Sequence, residues 1–359
     1  MTDTTDVNSK KQAAQPLVSV LVACYNVSKF ISKGFSNLLR QTYSNYELII
    51  VDDCSTDDTL AQLKEWEQKD ARIRVYHHCH NQGLGGARNT GLKYANGKYI
   101  YFADIDDEVA PQLLSFCTEK MEMTSVDMMM FGFEVVDVAN DTSDSVIPKE
   151  QLLNSNYDIR DIYVEQILLS KYGSGFVWSK FYRKSFLDRA GIKFGTQKIQ
   201  QDEVFNLKIF AALDSLYISP EIFYRYYIYS SGNNRSRFIA DRFDIVLDVR
   251  NAFETLLSKW SITDSAAISY LDRRLYGGLL TYLTYDLNHK YCTMSHHEKR
   301  IKFLEATHNA KAHTAAINCM KTQANCFDKL TCLSVVKSNY ALFRLSVTLK
   351  KTIKSILRR

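Results

Sequence analysis

The chain has 359 residues, 46% of them hydrophobic and only four proline, enough for a sizeable folded core and unlike a disordered composition. Its formal charge of +5 is lopsided: residues 334–359 carry seven Lys and Arg and no acid, which leaves the rest near −2 and disfavours a nucleic-acid-binding body. The eight cysteines form no CxxC pair, so their spacing fits neither a zinc site nor a secreted disulfide framework.

Residues 1–16 are polar, lack the apolar centre of a signal peptide and are expected to be a flexible tail. No later run is long and apolar enough to span a bilayer. VSVLVACYN (18–26) is a nearly continuous apolar run closed by a turn residue, which predicts a strand buried on both faces. A helical pattern follows over 30–43, then a second buried strand, ELIIVDDC (47–54). STDDTLAQLKEWEQ (55–68) opens with capping chemistry and continues as a helix. IRVYHH (73–78) is a third strand, NQGLGGARNTGLKYANG (81–97) a Gly-rich turn and short helix, and KYIYFAD (98–104) a fourth strand. A helix (111–123) and a strand (126–136) come next, then a polar stretch (137–151) expected to be a variable loop. Residues 161–230 mix helix and strand and end in the aromatic run IFYRYYIY (222–229). The pattern is helical from Asp241 onward, with breaks near Thr263 and Thr293.

Four alternations of strand and helix in about a hundred residues mark a doubly wound α/β domain. Ligands in such sheets sit beyond the carboxyl ends of the strands. The polar clusters fall there: Tyr25 and Asn26 after the first strand, Asp52 and Asp53 after the second, Asp104, Asp106 and Asp107 after the fourth. Crowded carboxylates repel unless something compensates. Hard divalent ions take oxygen ligands, commonly one or two carboxylates plus substrate phosphates, so the third cluster reads as a metal-diphosphate site or, failing that, an acidic helix cap. The Gly-rich turn is not a dinucleotide fingerprint, because Arg88 stands where Gly or Ala belongs and the turn follows the third strand. It instead brings Arg88, whose planar fork suits phosphate, toward an anionic ligand. His77, His78 and His80 alternate along a strand end, which argues against joint metal ligation.

VSVLVACYNVSKFI, QTYSNYELIIVDDCSTDDT, NQGLGGARNTGLKYANGKYIYFADIDD, VWSKFYRKSF and QQDEVFNL together resemble bacterial family 2 glycosyltransferases of the GT-A fold, over about Val18 to Arg237. The resemblance implies an α/β GT-A sheet, doubly wound and mostly parallel, at 17–237. Residues 17–137 would form the nucleotide-sugar half and 138–237 the acceptor half, followed by a helical extension (238–333). It implies inverting transfer from a UDP-sugar, with Mn²⁺ or Mg²⁺. Ala23, Tyr25, Asn26, Asp52, Asp53, Asn81, Gly83 and Arg88 match the nucleotide-sugar site, with Asp53 the uracil reader. Asp104 and Asp106 match the DxD pair: Asp106 as the direct metal ligand, Asp104 as a ribose or metal contact. Ile105 between them is unusual for the family. Inversion needs a base opposite the leaving nucleotide. The family's Glu-Asp pair falls on Gln201-Asp202, so its first acid is missing; Asp202 is the expected base and Glu203 the fallback. Trp178 and Lys180 fall in the acceptor-side segment, where a Trp face can stack on a sugar.

In the tail, Leu342, Leu345, Leu349, Ile353 and Ile356 form one apolar stripe opposite most of the basic residues. Such a helix (334–359) suits an anionic bilayer surface. The expectation is thus a cytoplasmic enzyme, peripheral to the inner membrane, that moves a hexose onto a lipid-linked or growing surface glycan such as O-antigen or capsule. The competing reading is a non-catalytic nucleotide-sugar or glycan-binding protein of the same fold. A nucleotidyltransferase would carry a Gly-rich triphosphate loop that CYNVSK is not.

Overall fold

The structure is a computed structural model describing residues 17–171, 173, 175–229, 237–322 and 326–356. The expected tail at 1–16 and the last three residues lie outside the described residues. In chain order the first half runs β1 (Val18–Cys24), α1 (Ile31–Leu38), β2 (Tyr46–Asp52), α2 (Thr59–Lys69), β3 (Ile73–His77), α3 (Gly83–Tyr94) and β4 (Tyr99–Ala103). Then come β5 (Glu108–Val109), α4 (Leu113–Thr124), β6 (Met128–Asp137), β7 (Thr142–Val146), β8 (Gln151–Leu153) and α5 (Asn156–Ile162), which continues into a π-helical turn at Tyr163–Leu168. The sheet is completed by β9 (Lys180–Arg183), α6 (Lys184–Ala190), α7 (Gln201–Ala212) and β10 (Leu216–Ile228).

The ten-stranded sheet has the order β3-β2-β1-β4-β9-β6-β10-β5, with β7 paired to β6 and β8 to β10. β3, β2, β1 and β4 run parallel, and β9 lies antiparallel to both β4 and β6. The apolar runs follow position: β2 and β4 are buried at every residue, whereas edge strand β3 alternates, with Ile73 and Val75 inside and Arg74 out. Because the chain winds outward from β1 through β3 and returns beside β1 as β4, the order reverses at the β1–β4 step. The loops after β1, β2 and β4 open onto the crevice there. The stretch 137–151 is not simply a loop: residues 142–146 pair antiparallel with β6 as a hairpin strand.

Among the described residues six α-helices follow: α8 (Arg242–Lys259), α9 (Ser265–Thr284), α10 (His296–His308), α11 (Ala310–Thr322), α12 (Cys326–Val336) and α13 (Tyr340–Ile356). α9 starts on an Asp264 cap and α10 on a Ser295–Glu298 capping box, close to the expected breaks. One core fills the sheet and reaches Val249, Phe253 and Leu271; a second packs among α8 to α13 around Leu279, Phe303, Ala316 and Val335. Among the described residues no helix is long and apolar enough to cross a membrane.

Candidate active site

The strand-end loops, the start of α7, the end of β10 and one face each of α8 and α9 line a single cleft of about 1200 Å³. Ala23, Tyr25, Asp53, Asn81, Gly83, Arg88, Asp104, Asp106, Trp178 and Asp202 all border it. Asn26, Asp52, Lys180 and Glu203 do not.

At the β2 end the two aspartates part company, as adjacent residues leaving a strand must. Asp53 turns toward the cleft, and its Oδ1 accepts from His78 Nδ1 (2.7 Å) and from the Gln82 amide (2.8 Å). With Nδ1 donating, His78 Nε2 is left to accept from the Thr90 hydroxyl at 2.9 Å. Asn81 donates to the Asp53 carbonyl. Asp52 is fully buried and turns away to Ser55 and His77. Asn26 adopts a left-handed φ of 53° and accepts from the Thr56 amide (2.8 Å), tying the β1 turn to the β2 turn. Thus His77 and His78 serve the strand-end aspartates one each, whereas His80 lies beside the Cys79 thiol.

After β4 the acidic loop divides its labour. Ile105 is buried against Gly34 of α1, where a Cβ would lie 2.4 Å from the Ile105 carbonyl, so this apolar residue anchors the loop and its flanking aspartates face the cleft. Asp107 is spoken for: it accepts from the Tyr224 hydroxyl (2.7 Å) and the Tyr227 amide (2.9 Å), stitching the loop to β10. Burial, then the charges of Asp106 and Asp104, push the Asp107 carboxyl well above its usual range. Asp106 is pushed up to about 6 by burial and then by Asp104. Two cleft-facing carboxylates in mutual repulsion, one reluctant to ionise, are a fitting donor set for a divalent ion. No three His, Cys, Asp or Glu side chains among the described residues gather as a cation site, so a bound diphosphate would supply further oxygens.

Arg88 reaches across from α3. It is 4% exposed, its Nη2 lies 3.3 Å from Asp104 Oδ1, and its Nη1 has no hydrogen-bond partner among the described residues. Across the cleft, Asp202 stands in the first turn of α7. Burial raises its carboxyl above the usual range, and the Arg88 charge opposes that rise. Lys180 lies beneath, fully buried, donating to the Phe176 carbonyl; burial lowers its ammonium to about 7. Trp178 is 3% exposed and stacks on Tyr224 (4.3 Å) and Phe176 (4.5 Å), so half-buried Phe176 and Tyr226 are the more available aromatic surfaces of that wall.

Glu203 is buried and clamped by Arg274 of α9, whose Nη2 lies 2.6 Å from Oε2 and whose Nη1 approaches Oε1. Burial works against the Arg274 charge, but Glu203 overrides it and raises the guanidinium further. That fork occupies both oxygens of Glu203 and leaves Asp202 as the cleft-facing acid. The clamp had no local signal in the sequence, since its partners are 71 residues apart. His78 and Asp107 were visible as residue types, but their partners were not.

A family model described as glycosyl transferase family 2 matches residues 19–186. A UDP-Glc:alpha-D-GlcNAc-diphosphoundecaprenol beta-1,3-glucosyltransferase of Escherichia coli, WfgD, is 32% identical over 171 residues, covering 46% of this chain and 67% of that protein. The chain belongs to glycosyltransferase family 2. The glycosyltransferase EpsJ of Bacillus subtilis (strain 168) is 34% identical over 215 residues, 59% of this chain, and the match spans 61% of that protein's length. Among solved structures, S. aureus TarS 1-349 in complex with UDP superposes with a TM-score of 0.59 at 18% identity, covering 93% of this family 2 chain and 91% of that 1-349 chain. That likeness concerns the fold and includes the C-terminal helices. The family-model match ends before α7, so Asp202 lies outside it.

Proposed function

We propose that this protein is an inverting hexosyltransferase. It would move Glc, Gal or an N-acetyl form from a UDP-sugar to a lipid-linked or growing surface glycan, of the O-antigen or capsule kind, at the cytoplasmic face of the inner membrane. One observation carries the reading. A base-ready carboxylate, Asp202, faces the acidic Asp104–Asp106 pair across one cleft, with the Arg88 guanidinium between them. The activity for which WfgD is named, with a UDP-sugar donor and a diphosphate-lipid acceptor, supports the substrate classes.

Asp53, set by His78 and Gln82, would accept from the uracil N–H, and Tyr25, 47% exposed at the mouth, would cover the base. Asp106 and Asp104 would hold Mn²⁺ or Mg²⁺, which when bound offsets charge on the departing diphosphate. Arg88 donates from the opposite side to the same anion. Asp202 takes the proton of the acceptor hydroxyl as its oxygen bonds to the anomeric carbon. The bond from that carbon to the diphosphate oxygen breaks on the far face, with UDP leaving on its electron pair. A raised carboxyl suits this role because its affinity for the proton is higher. The apolar stripe and basic residues of α13 would rest on the anionic bilayer.

The test is transfer by purified protein with UDP-Glc, UDP-Gal, UDP-GlcNAc and UDP-GalNAc, Mn²⁺ and a GlcNAc-diphosphate-lipid analogue. One donor should turn over, need the metal, and fall by at least about a hundredfold in both Asp106→Ala and Asp202→Asn. If UDP binds but no donor turns over with any acceptor, the non-catalytic binding protein is the better description.

A further inference from the structure

Three residues that line the cleft each carry a buried polar atom without a hydrogen-bond partner among the described residues: Arg88 Nη1, Gln197 Oε1 and Gln201 Oε1. Arg88 faces the anion side. The two amide oxygens can only accept, so they require a donor that neither a phosphate nor an ionised aspartate supplies. Gln201 is the stronger case: it is the first residue of α7, 3% exposed and next to the candidate base.

The loop that carries Gln197 and leads into Gln201 is held at its start. The Asn89 side chain of α3 bonds both backbone groups of Phe194 (3.0 and 2.9 Å). A Cβ on Gly85 would lie 2.2 Å from the Gly195 carbonyl, so the 195–200 loop is pressed onto α3 before it enters α7. Gln197 and Gln201 thus line the cleft that also holds Asp104 and Asp202, and Gln201 directly precedes Asp202 at the start of α7. Their chemistry suits hydroxyls. Where the family pattern has an acid, a neutral amide can accept from a sugar O–H without adding charge beside Asp202, which Glu203 and Asp104 already raise.

We infer that Gln201, flanked by Gln197, is a hexose-reading residue that accepts a hydrogen bond from a hydroxyl or N-acetyl N–H of the pyranose at the reacting centre. This rests on the glycosyltransferase reading and deepens it. The group could belong to the donor hexose or the acceptor hexose, and the experiment separates them.

The affinities of UDP and of the UDP-hexose that turns over are measured with Mn²⁺ by titration calorimetry, alongside the acceptor KM, for wild type, Gln201→Met and Gln201→Asn. For a donor contact, the Met variant binds UDP as wild type does but loses about tenfold of the gain in affinity that the hexose confers. For an acceptor contact, that gain is kept and the acceptor KM rises by about tenfold. If UDP affinity, hexose gain and acceptor KM all match wild type, the inference is overturned. Should the Met variant fail to bind UDP at all, Gln201→Asn decides, because it keeps the amide and only shortens its reach. Single-deoxy hexose analogues must then show one hydroxyl whose removal weakens wild type more than the Asn variant; equal losses throughout overturn the inference. Wild type that binds no UDP removes the functional reading itself, and this inference with it.

Discussion

The carboxyl of Asp106 ties the acidic loop to a measurable pH effect. Burial and the charge of Asp104 raise it from 3.8 to about 6, so the folded protein holds this proton to higher pH than the unfolded chain. Its contribution to stability is full below the ordinary value and is lost as pH rises through about 6. In metal-free protein, Asp106→Asn should be more stable than wild type by about 1–2 kcal/mol at pH 7 and by nothing near pH 4. Urea unfolding at both pH values in chelator checks this; an equal gain at both would mean the carboxylate is not the cause. The same variant should lose metal-dependent UDP affinity, separating a stability cost from the function it serves. Residues of this kind were legible because the chain announces them locally: a buried run ends and a polar side chain follows. The residue pattern alone did not tell which of two neighbouring carboxylates turns inward; only the family resemblance singled out Asp53 and Asp106. Asp52 and Asp53, and likewise Asp106 and Asp107, are told apart only by partners 25 and about 120 residues away, His77 and His78 in one case and Tyr224 and Tyr227 in the other.

Between elements, the informative contact is the fork of Arg274 on Glu203, which ties α9 of the helical extension to the end of α7 that carries Asp202. The extension is thus part of the site wall rather than an appendage. Glu203 is 8% exposed, so removing Arg274 leaves a buried charge unpaired. Arg274→Leu should cost about 3–5 kcal/mol, whereas Arg274→Leu with Glu203→Leu should recover most of it. Urea denaturation measures both. If the double variant is as unstable as the single one, the fork is not what the extension contributes. If it recovers stability but not turnover, Glu203 also sets the placement of Asp202. The sequence put α9 within a helical stretch bounded by breaks near Thr263 and Thr293 and left α7 inside a region that mixes helix and strand, and neither reading could pair the two. The β7 hairpin escaped for another reason. Its sequence, TSDSV, is exposed at four of five positions, so the strand has no apolar alternation to read, only backbone pairing to β6.

For the whole molecule, α13 raises a question of which face is the packing face. The sequence shows one apolar stripe, Leu342, Leu345, Leu349, Ile353 and Ile356. The helix docks on its neighbours through another row, Phe343, Ser346 and Val347, with Lys350 paired to Asp328 of α12 and Arg344 bonded to His296 of α10. At 100° per residue the two rows are centred about 110° apart. Leu345 is 54% exposed and Leu349 38%. A helix held by one face while Leu345 and Leu349 stay outward, in a segment with seven basic residues and no acid, has the composition of an interfacial element. Burying two leucines in a bilayer contributes about 1.5–3 kcal/mol each, and anionic headgroups about 1 kcal/mol per nearby basic residue. Leu345→Gln with Leu349→Gln should therefore weaken sedimentation with phosphatidylglycerol vesicles by at least about tenfold. Because neither side chain is packed inside, the melting temperature and transfer to a water-soluble acceptor should not change. Raising the salt should weaken vesicle binding of wild type further, through the headgroup attraction. Should the variant sediment as wild type does, the outward stripe is not the membrane face. Should it melt earlier instead, the stripe belongs to the protein's own packing, and the second core extends beyond the residues that define it here.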